Sequence, residues 1–233
     1  MTTAARPGSG EMFDAIADRY DLLNRIISLG VDQSWRTRAV RALELSGSAR
    51  VLDVATGTGD LAIRIARALP EARVVGVDPS TRMLEIGRAK LGKLALAGRV
   101  ELGAGSVEAL PYPDAGFDGT TIAFGIRNAH DRAQGLCEMR RVTRSGGRVV
   151  VLELGDPESG ALSAVARWHI HSVVPWVGGL LSGKAEYEYL QRSIAAFPSR
   201  AAFGAMMTEA GLELERAEPL TFGVATLFVG RVP

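Results

Sequence analysis

From Glu11 onward the apolar residues Phe13, Ile16, Ala17, Tyr20, Leu23 and Ile27 recur at intervals of three and four, the spacing of an amphipathic helix that breaks before Gly30. A second helix is expected over residues 34–45, with Ser34 as its N-cap and Gly47 near its stop. The period then changes. Short, β-branched apolar runs at 50–54, 73–78, 99–102, 117–123 and 147–154 alternate with helical patterns at 60–69, 80–91 and 129–143. Strand, helix, strand in succession requires parallel pairing with right-handed crossovers, so the fold class is α/β with a doubly wound, mostly parallel sheet. Beyond residue 154 the rhythm turns helical over 161–196, breaks at Pro198 and resumes over 199–210, with Gly211 as a C′ glycine. Two extended runs, 212–217 and 222–229 with Pro219 between them, predict a closing antiparallel hairpin.

Composition narrows the function classes. At 233 residues one decorated domain is expected: a lead-in over 1–10, then a single unit over 11–233 with an N-terminal helical cap at 11–46 and a helical insertion at 158–198. With 27 Lys+Arg against 26 Asp+Glu the net charge is +1, so no global field points to nucleic acid or an anionic membrane. A single cysteine, Cys137, removes disulfide frameworks and zinc ribbons, and mid-helix it reads as core filler. The first ten residues are small and polar without an apolar core, unlike an export signal, so a cytoplasmic location is expected. The most apolar stretch, 161–182, is interrupted by Arg167, His169, His171, Pro175 and Gly178-Gly179, which disqualifies it as a membrane span.

The chemistry concentrates at Val51-Leu-Asp-Val-Ala-Thr-Gly-Thr-Gly-Asp60, where a strand runs into a glycine turn and then a helix. Backbone N–H groups there face whatever lies over the strand's C-terminal end. Gly57-x-Gly59-x-x-Ala62 also satisfies the dinucleotide fingerprint, so the glycines alone do not separate a nicotinamide enzyme from another nucleoside binder. Charge offers a distinction. Asp60 at the helix start and Asp53 at the strand end would repel a pyrophosphate and suit a cationic ligand such as S-adenosylmethionine. Asp78, nineteen residues past Gly59 at the end of the second strand, can accept two ribose hydroxyls.

These residues, with Val77-Asp78-Pro-Ser-x-x-Met83-Leu, Ala109-Leu-Pro-Tyr-Pro113, Phe117-Asp118, Phe124-Gly-Ile-Arg-Asn128 and Gly146-Gly147-Arg, resemble a class I S-adenosylmethionine-dependent methyltransferase of Rossmann-like fold. More narrowly the chain resembles the ubiquinone/menaquinone C-methyltransferases. Phe13-Asp-x-Ile-Ala-Asp-x-Tyr-Asp-Leu-Leu-Asn24, Tyr187-x-Tyr-Leu-x-x-Ser-Ile194, Pro198 and Met206-Met207-x-x-Ala-Gly211 carry that likeness outside the cofactor core. The resemblance implies methyl transfer to a ring carbon of a polyprenyl quinol, demethylmenaquinol first and the ubiquinol precursor second, with S-adenosylmethionine as donor and no metal. It implies cofactor contacts from Asp53, Gly57, Thr58, Gly59, Asp78, Ser106 and Val107. Relatives often carry Asn-Ala at the last pair and serine where Ala123 stands, so those contacts here are expected to be main-chain or apolar.

A phenolic ring carbon becomes nucleophilic as its hydroxyl loses a proton. Arg127, permanently charged, is the expected partner of the phenolate, Asn128 a residue that orients a water, and Tyr20 a residue that closes the site over the ring. The duller alternatives are that Arg127 and Asn128 cap the next helix or pair with Asp131, and that Tyr20 is core. His130 beside Asp131 reads as capping chemistry, and His169 and His171 lack a third ligand at usable spacing for a metal. Trp168, Val173, Val174, Trp176, Leu180 and Leu181 would wall a tunnel for an isoprenoid tail, dock on a bilayer, or simply cover the sheet edge. Homodimer formation and peripheral membrane contact are left open. Competing functions are a methyltransferase for another small phenol, a nicotinamide oxidoreductase, which should carry a second nucleotide-binding half, and a non-catalytic S-adenosylmethionine scaffold.

Overall fold

Residues 10–28, 30–155 and 184–233 are described by the structure, a computed structural model. The elements run α1 (Gly10–Ile27), α2 (Asp32–Ala42), β1 (Arg50–Val54), α3 (Asp60–Ala68), β2 (Arg73–Asp78), α4 (Thr81–Lys93), β3 (Val100–Ala104), β4 (Phe117–Ala123), α5 (Arg132–Val142), β5 (Thr143–Leu154), α6 (Lys184–Ala195), α7 (Arg200–Glu209), β6 (Glu213–Leu220) and β7 (Ala225–Arg231). The strands form one sheet in the order β3-β2-β1-β4-β5-β7-β6. The first five are parallel, and β7 lies antiparallel to both β5 and β6, as the alternating pattern and the terminal hairpin predicted.

Alternation along β1 divides the core. Val51 packs on one face with Leu61, Ile65, Leu84 and Trp35, so α2, α3 and α4 cover that side. Leu52 and Val54 face the other, among Leu136, Met139, Phe203 and Met207 of α5 and α7. Crossover direction reverses between β1 and β4, which are hydrogen-bonded neighbours. A crevice opens at such a switch point, outside the carboxyl ends of the strands.

Several boundaries differ from expectation for local reasons. The α2 helix starts at Asp32, whose carboxylate takes Ser28 Oγ at 2.9 Å; Ser34 is no N-cap and instead donates Oγ to the Val31 carbonyl. The α5 helix starts at Arg132 rather than residue 129, because Ile126–Asn128 closes a 3-10 turn and the Asp131 side chain caps the Gln134 N–H. β5 begins at Thr143, four residues early, and β6 runs through Pro219, which an edge strand tolerates. Cys137 is exposed on α5 and fills no core. Gly211 takes φ +86° just past α7, the left-handed stop expected of it.

Of the lead-in expected over 1–10, residues 1–9 lie outside the described residues and Gly10 already opens α1; most of the insertion, with Trp168, Trp176, His169 and His171, also lies outside them. So do the side chains of Ile16, Leu23 and Ile27. Among the described residues no helix is long and apolar enough to cross a membrane.

Candidate active site

At the C-terminal end of β1 the chain must turn sharply into α3. Gly57 at φ +56° and Gly59 at φ +82° make the turn possible, since L side chains rarely adopt this region. Ala55 shares the strain at φ +49°. The loop after β4 comes so close that a Cβ on Gly125 would stand 2.5 Å from the Ala55 Cβ. Between these loops and the ends of β2 and β3 lies a cavity of about 510 Å³, the size of a small-ligand site.

Asp78 stands in its wall at the end of β2, 7% exposed. One carboxylate oxygen takes the Gly57 N–H at 2.8 Å and the other the Ser80 N–H at 2.9 Å, which fixes the group and leaves lone pairs on both oxygens. Burial raises its pKa against the pull of those two N–H groups, and nearby Asp14 adds to the rise. Ser106 and Val107 line the cavity from the loop after β3, Asn128 from the 3-10 turn, and Tyr20 with Phe13 from α1, their rings edge-on at 6.2 Å.

Helix α1 is held over this cavity by three acids on one face. Asp14 accepts from Ser80 Oγ and the Arg82 N–H, Asp18 pairs with Arg82 at 3.0 Å, and Asp21 accepts from Thr58 Oγ1 at 2.6 Å and pairs with Lys90. Spacings of four and three bring the three carboxylates to one side of the helix. Lys90 also donates to Thr58 Oγ1 and to Asp60, each at 2.8 Å. Burial acts to raise the Asp60 pKa, but the Lys90 hydrogen bond and charge outweigh it, and the net shift is downward.

The predicted residues therefore divide. Gly57, Asp78, Ser106, Val107, Asn128 and Tyr20 meet at the cavity. Thr58 turns its hydroxyl away into the Lys90 cluster, and Gly59 serves the turn as the left-handed cap of α3. Asp53 lies beneath the turn, 1% exposed, accepting from Thr56 Oγ1 at 2.6 Å and Thr121 Oγ1 at 2.7 Å. Burial pushes its pKa up to about 6 despite those bonds. The argument that Asp53 and Asp60 offer two free negative charges to a cation thus fails: one is buried on threonines, the other neutralised by Lys90. Asp78 and Glu108 are the carboxylates in the wall of the larger cavity, while Asp53 and Asp60 border a smaller one beside Tyr20, Ala55 and Gly57.

Arg127 is 8% exposed and is not among the residues that line the cavity. Nη1 donates to Glu153 Oε1 and to the Phe124 carbonyl, each at 2.6 Å, while the Arg127 N–H reaches Glu153 Oε2 at 3.1 Å. Burial acts to lower its pKa, yet Glu153 with Tyr20 and Tyr189 turns the net shift upward, so the charge is permanent. Its Nε–H has no acceptor among the described residues. Sequence reasoning missed Glu153 and Tyr189. The first is a lone acid in the apolar run of β5, a legible signal; the second sits in the quoted motif after the insertion and donates its hydroxyl to Asn128 Oδ1 at 2.9 Å. His130, read as capping chemistry, lines the cavity instead.

A model of the ubiE/COQ5 methyltransferase family matches residues 1–231. The chain belongs to that family. It is 48% identical over 241 residues to the demethylmenaquinone methyltransferase of Deinococcus radiodurans, covering 99% of both chains. It is 45% identical to the ubiquinone/menaquinone biosynthesis C-methyltransferase UbiE of Geobacter sp. (strain M21), over 94% of both. Among solved structures, a putative S-adenosyl-L-methionine-dependent methyltransferase from Methanococcus maripaludis superposes with TM-score 0.69 at 15% identity, covering 100% of this chain and 97% of that one, a likeness of fold.

As a member of the ubiE/COQ5 family the enzyme is an S-adenosylmethionine-dependent C-methyltransferase of class I fold. The residues at the cavity fit that donor: a fixed carboxylate for ribose hydroxyls, an unobstructed glycine turn and, among the described residues, no basic side chain in the wall other than His130 to attract a phosphate. Among the described residues no group of three His, Cys, Asp or Glu side chains is arranged to hold a metal ion.

Proposed function

We propose that the enzyme methylates a ring carbon of a reduced polyprenyl quinone, with demethylmenaquinol as substrate and menaquinol as product. The observation that carries this reading is the 48% identity, end to end, to a demethylmenaquinone methyltransferase. The cavity supports it: Phe13, Tyr20, Met83 and Phe124 give apolar and aromatic walls suited to a flat ring system. S-adenosylmethionine supplies, when bound, an electrophilic methyl group on a sulfonium.

Asp78 holds the ribose through its two oxygens, the Gly57 turn leaves the backbone open to the donor, and Ser106 with Val107 borders the adenine. Tyr20 and Phe13 close the site from α1 and exclude water, so that ring carbon and methyl meet in line. Arg127 acts through its field. Its charge lies behind the wall, tied to Glu153, and favours loss of the quinol proton to water without contacting the ring. A substrate with a polyprenyl tail resides in a bilayer, so the enzyme is proposed to work at a membrane surface.

The test is transfer of labelled methyl from S-adenosylmethionine to short-tailed demethylmenaquinol, to its benzoquinol counterpart and to the oxidised quinones. Label on a reduced quinone, with Asp78→Asn weakening donor affinity about tenfold to a hundredfold as a lost charged hydrogen bond requires, supports the reading. If no reduced quinone is labelled while calorimetry shows donor binding, the substrate is another small molecule and the quinol reading falls.

A further inference from the structure

The side-chain amide of Asn128 has one oxygen, which only accepts, and one nitrogen, which only donates. Its oxygen is already taken: Tyr189 Oη, carried on α6, donates to Oδ1 at 2.9 Å. Asn128 itself lines the cavity. With Oδ1 anchored on the tyrosine, Nδ2 projects from the opposite side of the planar amide as the donor end available to a ligand.

We infer that Tyr189 is a positioning residue that locks the Asn128 amide with Nδ2 toward the substrate, making Asn128 the direct donor to the oxyanion that develops on the quinol oxygen. This assignment rests on the quinol reading and replaces the expectation that Asn128 orients a water. A tyrosine with a free hydroxyl could as well accept from Nδ2, which would turn Oδ1 inward and oppose an oxyanion. Two features favour the donating sense. The Arg127 cation acts electrostatically on both Tyr20 and Tyr189, and a nearby cation favours the hydroxyl orientation in which the proton points away from it, as in the Tyr189 Oη bond to Asn128 Oδ1. Glu153, fully buried, holds that cation in place by accepting from Arg127 Nη1, the Arg127 N–H and the Leu154 N–H. The chain of command runs from Glu153 to Arg127 to Tyr189 to Asn128, and only the last member touches substrate.

Among the described residues, the other titratable and charged groups around this pair include Arg132 at the start of α5, which donates to the Arg127 carbonyl, Tyr20 of α1, and His130, Glu108 and Asp78 in the cavity wall. All are unchanged in a Tyr189→Phe enzyme, so a difference in pH profile between wild type and variant isolates the donor.

The experiment is a double-mutant cycle on kcat with short-tailed demethylmenaquinol, using Tyr189→Phe, Asn128→Ala and the pair. Removal of one oriented oxyanion donor costs about a hundredfold or more in kcat, the loss expected of Asn128→Ala. Tyr189→Phe keeps the ring but frees the amide, and about tenfold is expected, with the acid limb of the kcat profile moved up about one pH unit and KM for the donor unchanged. The double variant should be no slower than Asn128→Ala alone. A second readout needs no turnover: the pKa of a 1-naphthol bound beside S-adenosylhomocysteine, followed by absorbance, should rise in Tyr189→Phe. Additive losses that reach about a thousandfold, or an unmoved acid limb and naphthol pKa, overturn the inference while leaving the quinol reading intact. A wild-type enzyme that neither labels the quinol nor binds the naphthol overturns both.

Discussion

Asp53 offers a quantitative test of how the glycine turn is supported. Its carboxyl is 1% exposed, holds two threonine hydroxyls, and has a pKa pushed up to about 6 from 3.8. A carboxyl with a raised folded-state pKa binds its proton more tightly in the native state. Its contribution to stability is therefore fully present below the unfolded value and is lost as pH rises through about 6. Complete ionisation costs about 3 kcal/mol, and integration of the linkage relation between pH 5 and pH 7.5 gives a loss of about 1 kcal/mol over that window. Asp53→Asn keeps the shape without the titration. Its hydrogen bonds to Thr56 and Thr121 must rearrange, which changes stability by an amount independent of pH. Urea unfolding of both proteins at pH 5 and pH 7.5 separates the two effects, since every other titrating group is shared. The stability difference, variant minus wild type, should move in the variant's favour by about 1 kcal/mol at the higher pH. An unchanged difference, or one that moves the other way, would mean that Asp53 ionises normally and that the turn rests on a charged carboxylate.

Two further substitutions probe the walls of the site. Glu153→Gln leaves the Arg127 guanidinium buried without its counter-charge, and a loss of about 3–5 kcal/mol is expected in thermal or urea unfolding; a Glu153→Gln, Arg127→Met pair that recovers most of it would show that the uncompensated charge is the cause. Gly125→Ala would drive a Cβ to 2.5 Å from that of Ala55, so the β1 and β4 loops must separate. A destabilisation of about 1–3 kcal/mol with weakened donor binding by calorimetry is expected; unchanged donor affinity would mean that the loop spacing does not set the cavity.

Periodicity carried most of the fold because the central strands β1, β2, β4 and β7 are buried on both faces and each crossover helix on one, so the two patterns differ in composition as well as period. It misplaced helix starts where side-chain caps compete. Ser34 is a good N-cap type, yet α2 starts two residues earlier from Val31, which offers no side-chain cap, and Asp32 in the first turn is held by Ser28 and Arg36, contacts that a capping pattern does not display. Cys137 was misread for a related reason: in α5 the buried stripe is Gly135, Leu136, Met139 and Val142, and residue 137 falls one step off it. That error was avoidable from spacing alone.

The site was legible as a set of segments but not as a set of roles. Every loop that forms the cavity was marked by glycines or by a motif, because glycine is required where φ is positive or backbones nearly touch, and those requirements are local. Which acid faces the ligand is not local. Asp53, Asp60 and Asp78 look equivalent in sequence, each at a strand end or helix start, and their environments diverge through residues far along the chain: Thr121 for the first, Lys90 for the second, an open cavity wall for the third. Asp53 and Asp60, the carboxylates from which charge pointed to the donor, do not line the larger cavity. What separates this pocket from a pyrophosphate site is that its wall, among the described residues, carries two carboxylates, Asp78 and Glu108, and no lysine or arginine, while the Arg127 cation is paired with Glu153. An enzyme that must bind a sulfonium and also favour a phenolate has opposite electrostatic needs a few ångströms apart. Burying the cation in a pair and passing its influence through neutral tyrosine and asparagine dipoles meets both without placing two free charges of opposite sign in one cavity.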